Sequence, residues 1–385
     1  MKRTINMKKP TSKYLQVVLF VLFCGWFLTP NAAAAPQVNS RYYCLMEGKT
    51  GQVLMGKNQD EKRPVASTTK IMTALVALEY AGLDEIATVS RNAQLTPEYA
   101  FDLREGQTLT IEELIKVALM RSANDAAVVL AEHITGDERF FAHLMSKKAW
   151  VLGAVNTHFE NSSGLPSANS YSTAYDMALI SRFAISHDYI AQTVSTIQSS
   201  FKHPSYNQPL TITNSNRLLS SLQGADGIKT GTTNAAGRCL AASATRDQRQ
   251  LIAVCLKSGN RFGDGARLLE YGFSGYMPVK VIDRQVLFKT VKIFGGENLN
   301  IDLYPARTLY LWYDGEQPDI EKKVILDYAI KLPVQKDESL GMVSVYANGR
   351  YIDSIALVSG QTVKRGFWPQ WLNRLIKGKT DLLAE

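Results

Sequence analysis

The sequence predicts an α/β domain in which an antiparallel sheet is flanked by helices, with a helical region inserted in the middle, followed by a small all-β domain. Strand-like segments lie near both ends of the first 276 residues. Helical segments with capping signals fill the part between them. From residue 277 onward short alternating strands dominate, and Asn348-Gly349 between two of them is a strong hairpin signal.

The first 35 residues are typical of a secretory signal peptide. A basic start without acids precedes the apolar run Leu15 to Leu28, and small residues at 32–35 suit cleavage. The run of 14 residues is short for a membrane span. Without this segment, 38 basic residues face 35 acidic ones, a net charge of +3. We therefore expect an exported protein with no nucleic-acid partner.

The predicted first domain, residues 36–276, begins with two strands around the tight turn Glu47–Gly51. A loop ending at Pro64 leads to the first long helix, which we expect to begin near Ser67. Four further features complete the helical region: a capping box at 110–113 that opens a helix, helices at 125–133 and 138–152, and a helix capped by Ser172. Strands are then expected at 227–233, 237–245 and 250–257, with a closing helix at 264–271.

The predicted all-β domain covers residues 277–362 and a tail covers residues 363–385. Within the tail, aromatic and aliphatic residues recur at helical spacing beside basic ones over residues 366–379. This pattern predicts an amphipathic helix lying in a membrane interface, with its cations facing anionic headgroups. The alternative is a terminal helix docked on its own β domain.

Cysteines and histidines restrict the possible chemistry. Cys44, Cys239 and Cys255 remain after the signal segment, an odd and sparse set that favours buried free thiols, although one bridge is possible. The five histidines show no metal-ligand spacing. We expect neither a metal nor another cofactor.

Three short motifs combine residues able to carry acyl-transfer chemistry: Ser67-x-x-Lys70, Ser122-Ala-Asn124 and Lys229-Thr230-Gly231. A spacing of i, i+3 places Ser67 and Lys70 on the same helix face. Each motif alone is weak, because the chain also contains Ser199-x-x-Lys202 and Lys49-Thr-Gly51. Taken singly, the three would be interpreted as a helix cap, a helix junction and an edge strand with an exposed lysine. Their order and context together favour a functional interpretation.

The stretches PVASTTKIMTA, RSANDAA and DGIKTGTTNAAG resemble the penicillin-recognising serine enzymes. Their combination is similar to the low-molecular-mass penicillin-binding proteins that act as D-alanyl-D-alanine carboxypeptidases. TGQVLMGKN, NSSGLP, YSTAYDMA and RLLEYGF support the resemblance, which covers residues 41–276. It implies a β-lactamase/transpeptidase-like fold, peptidoglycan stem peptides as substrates, β-lactams as covalent inhibitors, and a place at the outer face of a bacterial cytoplasmic membrane.

A serine nucleophile needs a base, and no histidine lies near the motifs. Lysine must serve, which requires a pKa lowered by burial and by a second cation. The apolar flanks of Lys70 and the cation of Lys229 could supply both. The resemblance implies that Ser67 attacks the carbonyl between two D-alanines, that Ser122 relays a proton within hydrogen-bonding distance of both lysines, and that Asn124 orients Lys70 and holds a substrate amide.

The resemblance also implies how charge is stabilised and the substrate held. The backbone N–H groups of Ser67 and Thr232 would form an oxyanion hole. Residues of the strand motif and a nearby arginine would bind the substrate and its terminal carboxylate: Lys229, Thr230, Gly231, Thr232 and Arg261. For Arg261 the alternative is an ordinary surface arginine.

Two other functions compete with the carboxypeptidase. Class A β-lactamases carry a deacylating glutamate followed by Leu-Asn between the second and third motifs, whereas this chain has Glu160-Asn-Ser-Ser163. We therefore expect penicillin to acylate Ser67 and to leave slowly. The other alternative is a non-catalytic sensor that only holds the penicilloyl group.

Overall fold

The computed structural model describes residues 35–293, 300–315, 318–327 and 330–364. The predicted tail helix at 366–379, and all but the last residue of the predicted signal segment, lie outside the described residues. Among the helices of the described ranges, none is both long enough and apolar enough to cross a membrane.

One five-stranded antiparallel sheet organises the first domain. Its strands are β1 (Tyr42–Glu47), β2 (Val53–Lys57), β7 (Ala225–Thr233), β8 (Gly237–Arg246) and β9 (Arg249–Leu256). They lie in the order β2-β1-β9-β8-β7. The first two strands of the domain thus pair with its last three, which confirms the predicted sheet built from both ends of the domain.

Helices and two small strand pairs fill the chain between these strands. The helical elements are a 3₁₀ turn (Ala66–Thr69), α1 (Lys70–Tyr80), α2 (Arg91–Gln94), α3 (Ile111–Met120), α4 (Asn124–Thr135), α5 (Glu138–Val151), α6 (Ala174–Ala184), α7 (Asp188–Ser195) and α8 (Leu218–Ser221). The strand pairs are β3 (Ile86–Thr88) with β4 (Thr108–Thr110), and β5 (Gln198–Phe201) with β6 (Leu210–Thr213). A final helix, α9 (Arg261–Ser274), closes the domain.

Alternation along the strands gives the sheet two apolar faces. Successive side chains of a strand point to opposite faces, so Cys44 and Met46 join the large core shared with the helical region. Tyr43 and Leu45 point the other way, into a second cluster that includes Leu268 of α9. All three described cysteines are buried and free. The sheet is therefore covered on both sides by apolar clusters.

Helix boundaries test the capping signals. The capping box at α3 is confirmed, because Thr110 Oγ1 accepts from Glu113 N at 3.1 Å and the Glu113 carboxylate accepts from Thr110 N at 3.0 Å. The prediction that Ser172 caps the fourth helix is wrong. Thr173 caps α6, while the Ser172 hydroxyl lies 2.7 Å from that of Thr157. Helix α9 begins three residues earlier than predicted, since Asn260 caps it.

The second domain is all-β with its own core, as predicted. Its strands are β10 (Met277–Ile282), β11 (Lys289–Lys292), β12 (Asn300–Pro305), β13 (Leu309–Tyr313), β14 (Ile320–Leu326), β15 (Ser339–Ala347) and β16 (Arg350–Ser359). Five of them form an antiparallel sheet in the order β11-β12-β16-β15-β14, and β10 pairs with β13. The turn between β15 and β16 is Asn348-Gly349, with φ of 50° and 72°, as a two-residue hairpin requires.

Specific polar contacts join the two domains. The buried Gln52 amide donates to Trp312 O and accepts from Trp312 N, both at 2.8 Å. The Arg249 guanidinium stacks on the Trp312 ring, 3.4 Å from its centroid. Arg350 donates to both carboxylate oxygens of Asp60, at 2.7 and 2.8 Å. These contacts fix the end of the β domain that faces the sheet of the first domain.

Candidate active site

Ser67 lies at the turn that opens the first long helix. The turn is a 3₁₀ segment, Ala66–Thr69, and the α-helix begins only at Lys70, whereas the sequence predicted a helix start near the serine itself. Ala66 has a positive φ of 51° and is buried, and Ser67 is half-buried. A side chain held in such a backbone conformation is a common feature of functional sites. The i, i+3 relation between Ser67 and Lys70 survives, because a 3₁₀ turn also brings these positions together.

Lys70 is fully buried and its ammonium nitrogen has three partners. Nζ lies 3.0 Å from Ser67 Oγ, 2.6 Å from Asn124 Oδ1 and 2.6 Å from the carbonyl oxygen of Ser163. The last two oxygens can only accept. A neutral amine that donates its two protons to them turns its lone pair toward the Ser67 hydroxyl. The arrangement is that of a base and a nucleophile in contact.

The electrostatic surroundings favour the neutral form of that amine. Burial lowers the pKa of Lys70 well below its ordinary value, and the nearby cation of Lys229 lowers it further. Two carboxylates, Asp125 and Glu138, act in the opposite direction. The larger effects are burial and the second cation, which are the two causes expected from the sequence.

Lys229 is itself buried, on the edge strand β7. Its Nζ donates to the carbonyl oxygen of Thr230 at 3.0 Å. Burial lowers its pKa to about 7, and the charge of Arg261 contributes to the change. The alternative interpretation of this motif, an edge strand with an exposed lysine, is therefore wrong.

The second motif joins α3 to α4. Ser122 has a φ of 68°, so the chain turns sharply here, and Asn124 is the first residue of α4. The Asn124 amide donates to the carbonyl oxygens of Pro97 and Glu98, at 3.2 and 2.9 Å, while its Oδ1 accepts from Lys70. Among the described residues, the hydrogen bonds of the two lysines do not include Ser122. The expected bonds from Ser122 to both lysines are thus not formed in this structure.

Gly231 allows the strand motif to touch the 3₁₀ turn. A Cβ atom at this position would lie 2.9 Å from the Ser67 nitrogen and 3.1 Å from the Thr68 nitrogen. Real Cβ atoms essentially never come within 3.0 Å of another non-bonded atom, so this approach to the Ser67 nitrogen requires glycine. The close packing brings the end of β7 beside the Ser67 backbone N–H.

Arg261 is attached to the strand motif. It is the first residue of α9, and its Nη1 donates to Gly231 O at 2.9 Å and to Thr232 Oγ1 at 2.8 Å. The Thr230 hydroxyl lies 2.7 Å from the hydroxyl of Ser215. The structure thus brings together the expected site residues of all three motifs and Arg261, with Ser122 at the junction of the helices.

A loop that the sequence singled out only as a supporting stretch supplies one direct contact. Residues 161–165 pack behind the 3₁₀ turn, and Gly164, with a φ of +80°, has no room for a Cβ beside the Ala66 carbonyl. The Ser163 carbonyl at Lys70 was missed, because a main-chain oxygen has no signature in residue type. The glycine after Ser162-Ser163 was the one available signal.

Glu160 belongs to the same loop, and its side-chain hydrogen bonds stabilise the loop rather than contact Lys70. Its carboxylate accepts from Ser167 Oγ and from the backbone and side-chain nitrogens of Asn169, at 3.1 and 3.0 Å for the two nitrogens. The hydrogen bond from Ser167 is the main reason that the pKa of Glu160 is lowered. This carboxylate is engaged in turn formation and is not among the hydrogen-bond partners of Lys70.

Comparison with known proteins connects this site to a family. A family model described as D-alanyl-D-alanine carboxypeptidase, peptidase S11, matches residues 29–260. A second model, the C-terminal domain of penicillin-binding protein 5, matches residues 276–365. The two matched segments carry the three motifs and the all-β domain, respectively.

Individual relatives match along most of their length. The chain is 31% identical over 341 residues to the D-alanyl-D-alanine carboxypeptidase DacF of Bacillus subtilis (strain 168), covering 86% of this chain and 87% of the relative. It is 31% identical over 365 residues to DacC of Escherichia coli (strain K12), covering 90% of each. Among solved structures, penicillin binding protein 5 from Haemophilus influenzae superimposes with a TM-score of 0.69 at 26% identity, covering 86% of this chain and all of that one.

These matches confirm the fold class and the family that the motifs predicted. The match to DacF, at 31% identity, spans most of this chain, and the peptidase S11 model spans more than half of it. The chain belongs to the D-alanyl-D-alanine carboxypeptidase family, peptidase S11.

Proposed function

We propose that the serine-type D-alanyl-D-alanine carboxypeptidase activity of this family proceeds, in this chain, through an acyl-enzyme on Ser67. The observation that supports this most directly is the contact of the fully buried Lys70 Nζ with Oγ of the half-buried Ser67, at 3.0 Å. A buried amine between two acceptor oxygens can take a proton from a hydroxyl at neutral pH. The substrates are stem pentapeptides of peptidoglycan, and β-lactams are covalent inhibitors.

The reaction takes two steps. Neutral Lys70 removes the Ser67 proton as Oγ forms a bond to the carbonyl carbon between the last two D-alanines. The tetrahedral intermediate collapses, the C–N bond breaks, and D-alanine leaves with a proton on its amine. Water then attacks the ester carbonyl and gives a proton to Lys70, which passes it to Ser67 Oγ as the ester bond breaks. The shortened peptide leaves, and Ser67 is free again.

The oxyanion is proposed to bind to the backbone N–H groups of Ser67 and Thr232. The tight contact of Gly231 with the 3₁₀ turn supports this pairing, since it holds the strand against the nucleophile. Two preorganised donors of this kind contribute several kcal/mol to a tetrahedral transition state, of order 3 kcal/mol for each one removed. Gly231 is then a packing residue of the substrate-binding strand.

Proton delivery and amide binding are assigned to the second motif. Asn124 orients Lys70 through its Oδ1, which the 2.6 Å contact supports. Ser122 is half-buried on a turn with positive φ, and its hydroxyl relays the proton from Lys70 to the leaving amine. We expect its hydrogen bond to form once a substrate occupies the cleft, because catalytic hydrogen bonds often tighten only in the complex.

The terminal carboxylate of the substrate is proposed to bind at Lys229, Thr230, Thr232 and Arg261. The guanidinium of Arg261 supplies a lasting positive charge, whereas Lys229, with a pKa of about 7, changes charge near neutrality. A charge-assisted pair with a carboxylate is roughly twice as strong as a neutral hydrogen bond. Recognition of a free C-terminus follows from this cationic end of β7.

The hydrogen bonds of Glu160 support the proposal that bound penicillin is lost slowly. A deacylating carboxylate has to activate a water beside the acyl-enzyme, but Glu160 is used to hold Ser167 and Asn169. We therefore propose that penicillin stays on Ser67 as a stable ester.

Export and attachment to the membrane are proposed to come from the two segments that flank the described domains. The signal peptide, residues 1–35, exports the chain, and the amphipathic tail, residues 363–385, rests on the outer face of the cytoplasmic membrane. The catalytic domain, 36–276, then stands on the all-β domain, 277–362. Deleting residues 366–385 should release the protein into the soluble fraction, and a full-length protein that is already soluble would contradict the anchor.

Mass spectrometry tests the catalytic assignment. The protein is treated with penicillin, digested, and analysed for the modified peptide and the lifetime of the adduct. We expect a persistent penicilloyl group on the peptide that contains Ser67, and release of D-alanine from a pentapeptide by the untreated enzyme. An adduct on another peptide, or none, would contradict the assignment. A rapidly lost adduct would favour a β-lactamase, and an adduct without D-alanine release would favour a sensor.

A further inference from the structure

The carbonyl oxygen that orients Lys70 needs support from elsewhere in the fold. Ser163 O accepts from Lys70 Nζ at 2.6 Å and so helps to decide where the lysine lone pair points. The Ser163 hydroxyl bonds only within its own loop among the described residues, donating to Asn161 Oδ1 and accepting from Leu165 N, each at 3.3 Å. The position of the carbonyl therefore depends on how the preceding residue, Ser162, is held.

Ser162 is fully buried and is held from two helices. On one side the Glu138 carboxylate, at the start of α5, accepts from Ser162 N at 2.9 Å and from Ser162 Oγ at 2.6 Å through the same oxygen. On the other side Thr73 of α1 donates its hydroxyl to Ser162 O at 2.5 Å. Thr73 thus holds the peptide unit between Ser162 and Ser163, and Lys70 contacts the carbonyl of the next unit, between Ser163 and Gly164.

We propose that Glu138 is a positioning residue for the catalytic base: by clamping Ser162 it fixes the Ser163 carbonyl, and through it the direction of the Lys70 lone pair toward Ser67. This inference rests on the proposed function. Glu138 itself lies outside the reaction, since its carboxylate contacts Ser162 and not the two reacting side chains. Its contribution is geometric, and charge-assisted bonds of this kind hold backbone firmly.

The charge of Glu138 has a second, separable effect. Lys70 is faced by the cation of Lys229 from β7, by Asp125 from α4 and by Glu138 from α5. Lys229 lowers the pKa of Lys70, and both carboxylates raise it. Removing the charge of Glu138 while keeping a hydrogen-bond acceptor should therefore lower the pKa of Lys70 without moving the carbonyl.

Two substitutions separate geometry from charge, and a third provides a matched control. Glu138→Gln keeps an acceptor oxygen for Ser162, and Glu138→Ala removes both the acceptor and the charge. The control is Glu132→Ala. Glu132 is also a half-buried carboxylate that accepts two hydrogen bonds, from Ser90 Oγ at 2.5 Å and Asn92 Nδ2 at 2.9 Å, but it holds α2 rather than the loop behind Lys70.

The measurement is the rate of acylation by penicillin across pH, together with kcat and KM for D-alanine release. We expect Glu138→Ala to acylate about 10- to 100-fold more slowly, as small misplacements of a catalytic group do. Its kcat should fall while KM changes little, because the substrate-binding strand is untouched. Glu138→Gln should keep most of the rate and move the acidic limb of the profile to lower pH, and Glu132→Ala should do neither.

Two results would overturn the inference: wild-type acylation rates and pH profile in both Glu138 variants, or equal losses in Glu138→Ala and Glu132→Ala, which would mean general destabilisation. Unfolding curves of the three variants identify that second case. Failure of the proposed function is distinct, since the wild-type protein would then carry no penicilloyl group on Ser67. The variants are compared only if penicillin labels Ser67 in the wild-type protein.

Discussion

Two segments of this chain share the pattern Ser-x-x-Lys and differ in everything else. Ser67 and Lys70 lie on a helical turn where positions i and i+3 are neighbours, and the lysine is fully buried. Ser199 lies on the extended strand β5 and Lys202 just beyond it, exposed to solvent. In a strand such positions point to opposite faces. The spacing places a base beside a nucleophile only where the backbone is helical and the amine is desolvated.

The Lys-Thr-Gly pattern teaches the same lesson. Lys229 is buried on β7, beside the turn that carries Ser67. Lys49, in the copy, is exposed on the turn between β1 and β2, where Gly51 adopts a φ of 74°. One glycine permits close packing and the other a tight turn. Each pair of segments therefore provides a matched control for the site.

The largest expected effect comes from the two serines. Ser67→Ala should abolish penicillin labelling and reduce D-alanine release on the order of 10⁴-fold or more, as removal of a serine nucleophile does in other hydrolases. Ser199→Ala should leave both unchanged, because its hydroxyl donates to the Ser200 carbonyl oxygen and, within the described residues, has no hydrogen bond to an amine. The readouts are the adduct by mass spectrometry and D-alanine release. Equal labelling of the two variants would break the comparison.

The lysines come next. Lys70→Gln removes the base but keeps a side chain that can still donate to one of the two buried oxygens. We expect acylation by penicillin to slow by about 10²- to 10⁴-fold, the usual contribution of a general base. Lys202→Gln should acylate like the wild type. If the two variants had the same rate, another group would have to be the base.

A smaller effect is expected from Gly231 on β7, and Gly259, just before α9, provides its control. Gly231→Ala places a methyl group 2.9 Å from the Ser67 nitrogen, so strand and turn must separate and the acylation rate should fall about 100-fold. Gly259→Ala is the control, because no atom of the described part of the chain lies within 4 Å of a Cβ placed there. Acylation rates at fixed penicillin concentration decide the matter. Similar rates for both variants would remove the argument for close packing.

The smallest effect is a pH dependence of stability. The pKa of Lys229 is about 7 in the folded protein against roughly 10.4 when unfolded, so between these values the unfolded state binds the extra proton. The free energy of unfolding therefore rises with pH over this range, and the destabilisation caused by Lys229 is full at and below about pH 7. The free energy of unfolding of Lys229→Met should exceed that of the wild type most at pH 7 and below, and by about 2 kcal/mol less at pH 9.

Urea unfolding of both proteins at the two pH values measures this difference. Lys49→Met is the matched control, since the exposed Lys49 ammonium stays in water in both states. A Lys229→Met difference that does not change with pH would mean that this lysine is charged in the folded protein. The burial argument for the strand motif would then fail.

Much of the fold could be predicted because its signals are local. The hairpin at Asn348-Gly349 and the capping box at Thr110 depend on residues within a few positions of each other. The wrong prediction of the helix cap also used a local signal, but two neighbouring residues competed for the capping position. Ser172 and Thr173 could both cap a helix, and pairing of the Ser172 hydroxyl with Thr157, distant in sequence, decided between them.

The candidate site was predictable where side chains carry it. Ser67, Lys70, Asn124 and Lys229 were named from their motifs, and the structure brings them together. Contacts made by backbone atoms, or by side chains outside the three motifs, were not predicted. Glu138 precedes Ser162 by 24 positions, and its role depends on how α5 folds back on that loop.

The Ser163 carbonyl has a consequence for how this enzyme tolerates change. Since the atom that touches Lys70 belongs to the main chain, any amino acid at position 163 would present the same oxygen. Because the Ser163 side chain is itself buried, a deep mutational scan should find small residues tolerated at this position and bulky ones rejected. A one-residue insertion or deletion in the loop should abolish activity even when residue 163 is unchanged, since it moves the main-chain oxygen.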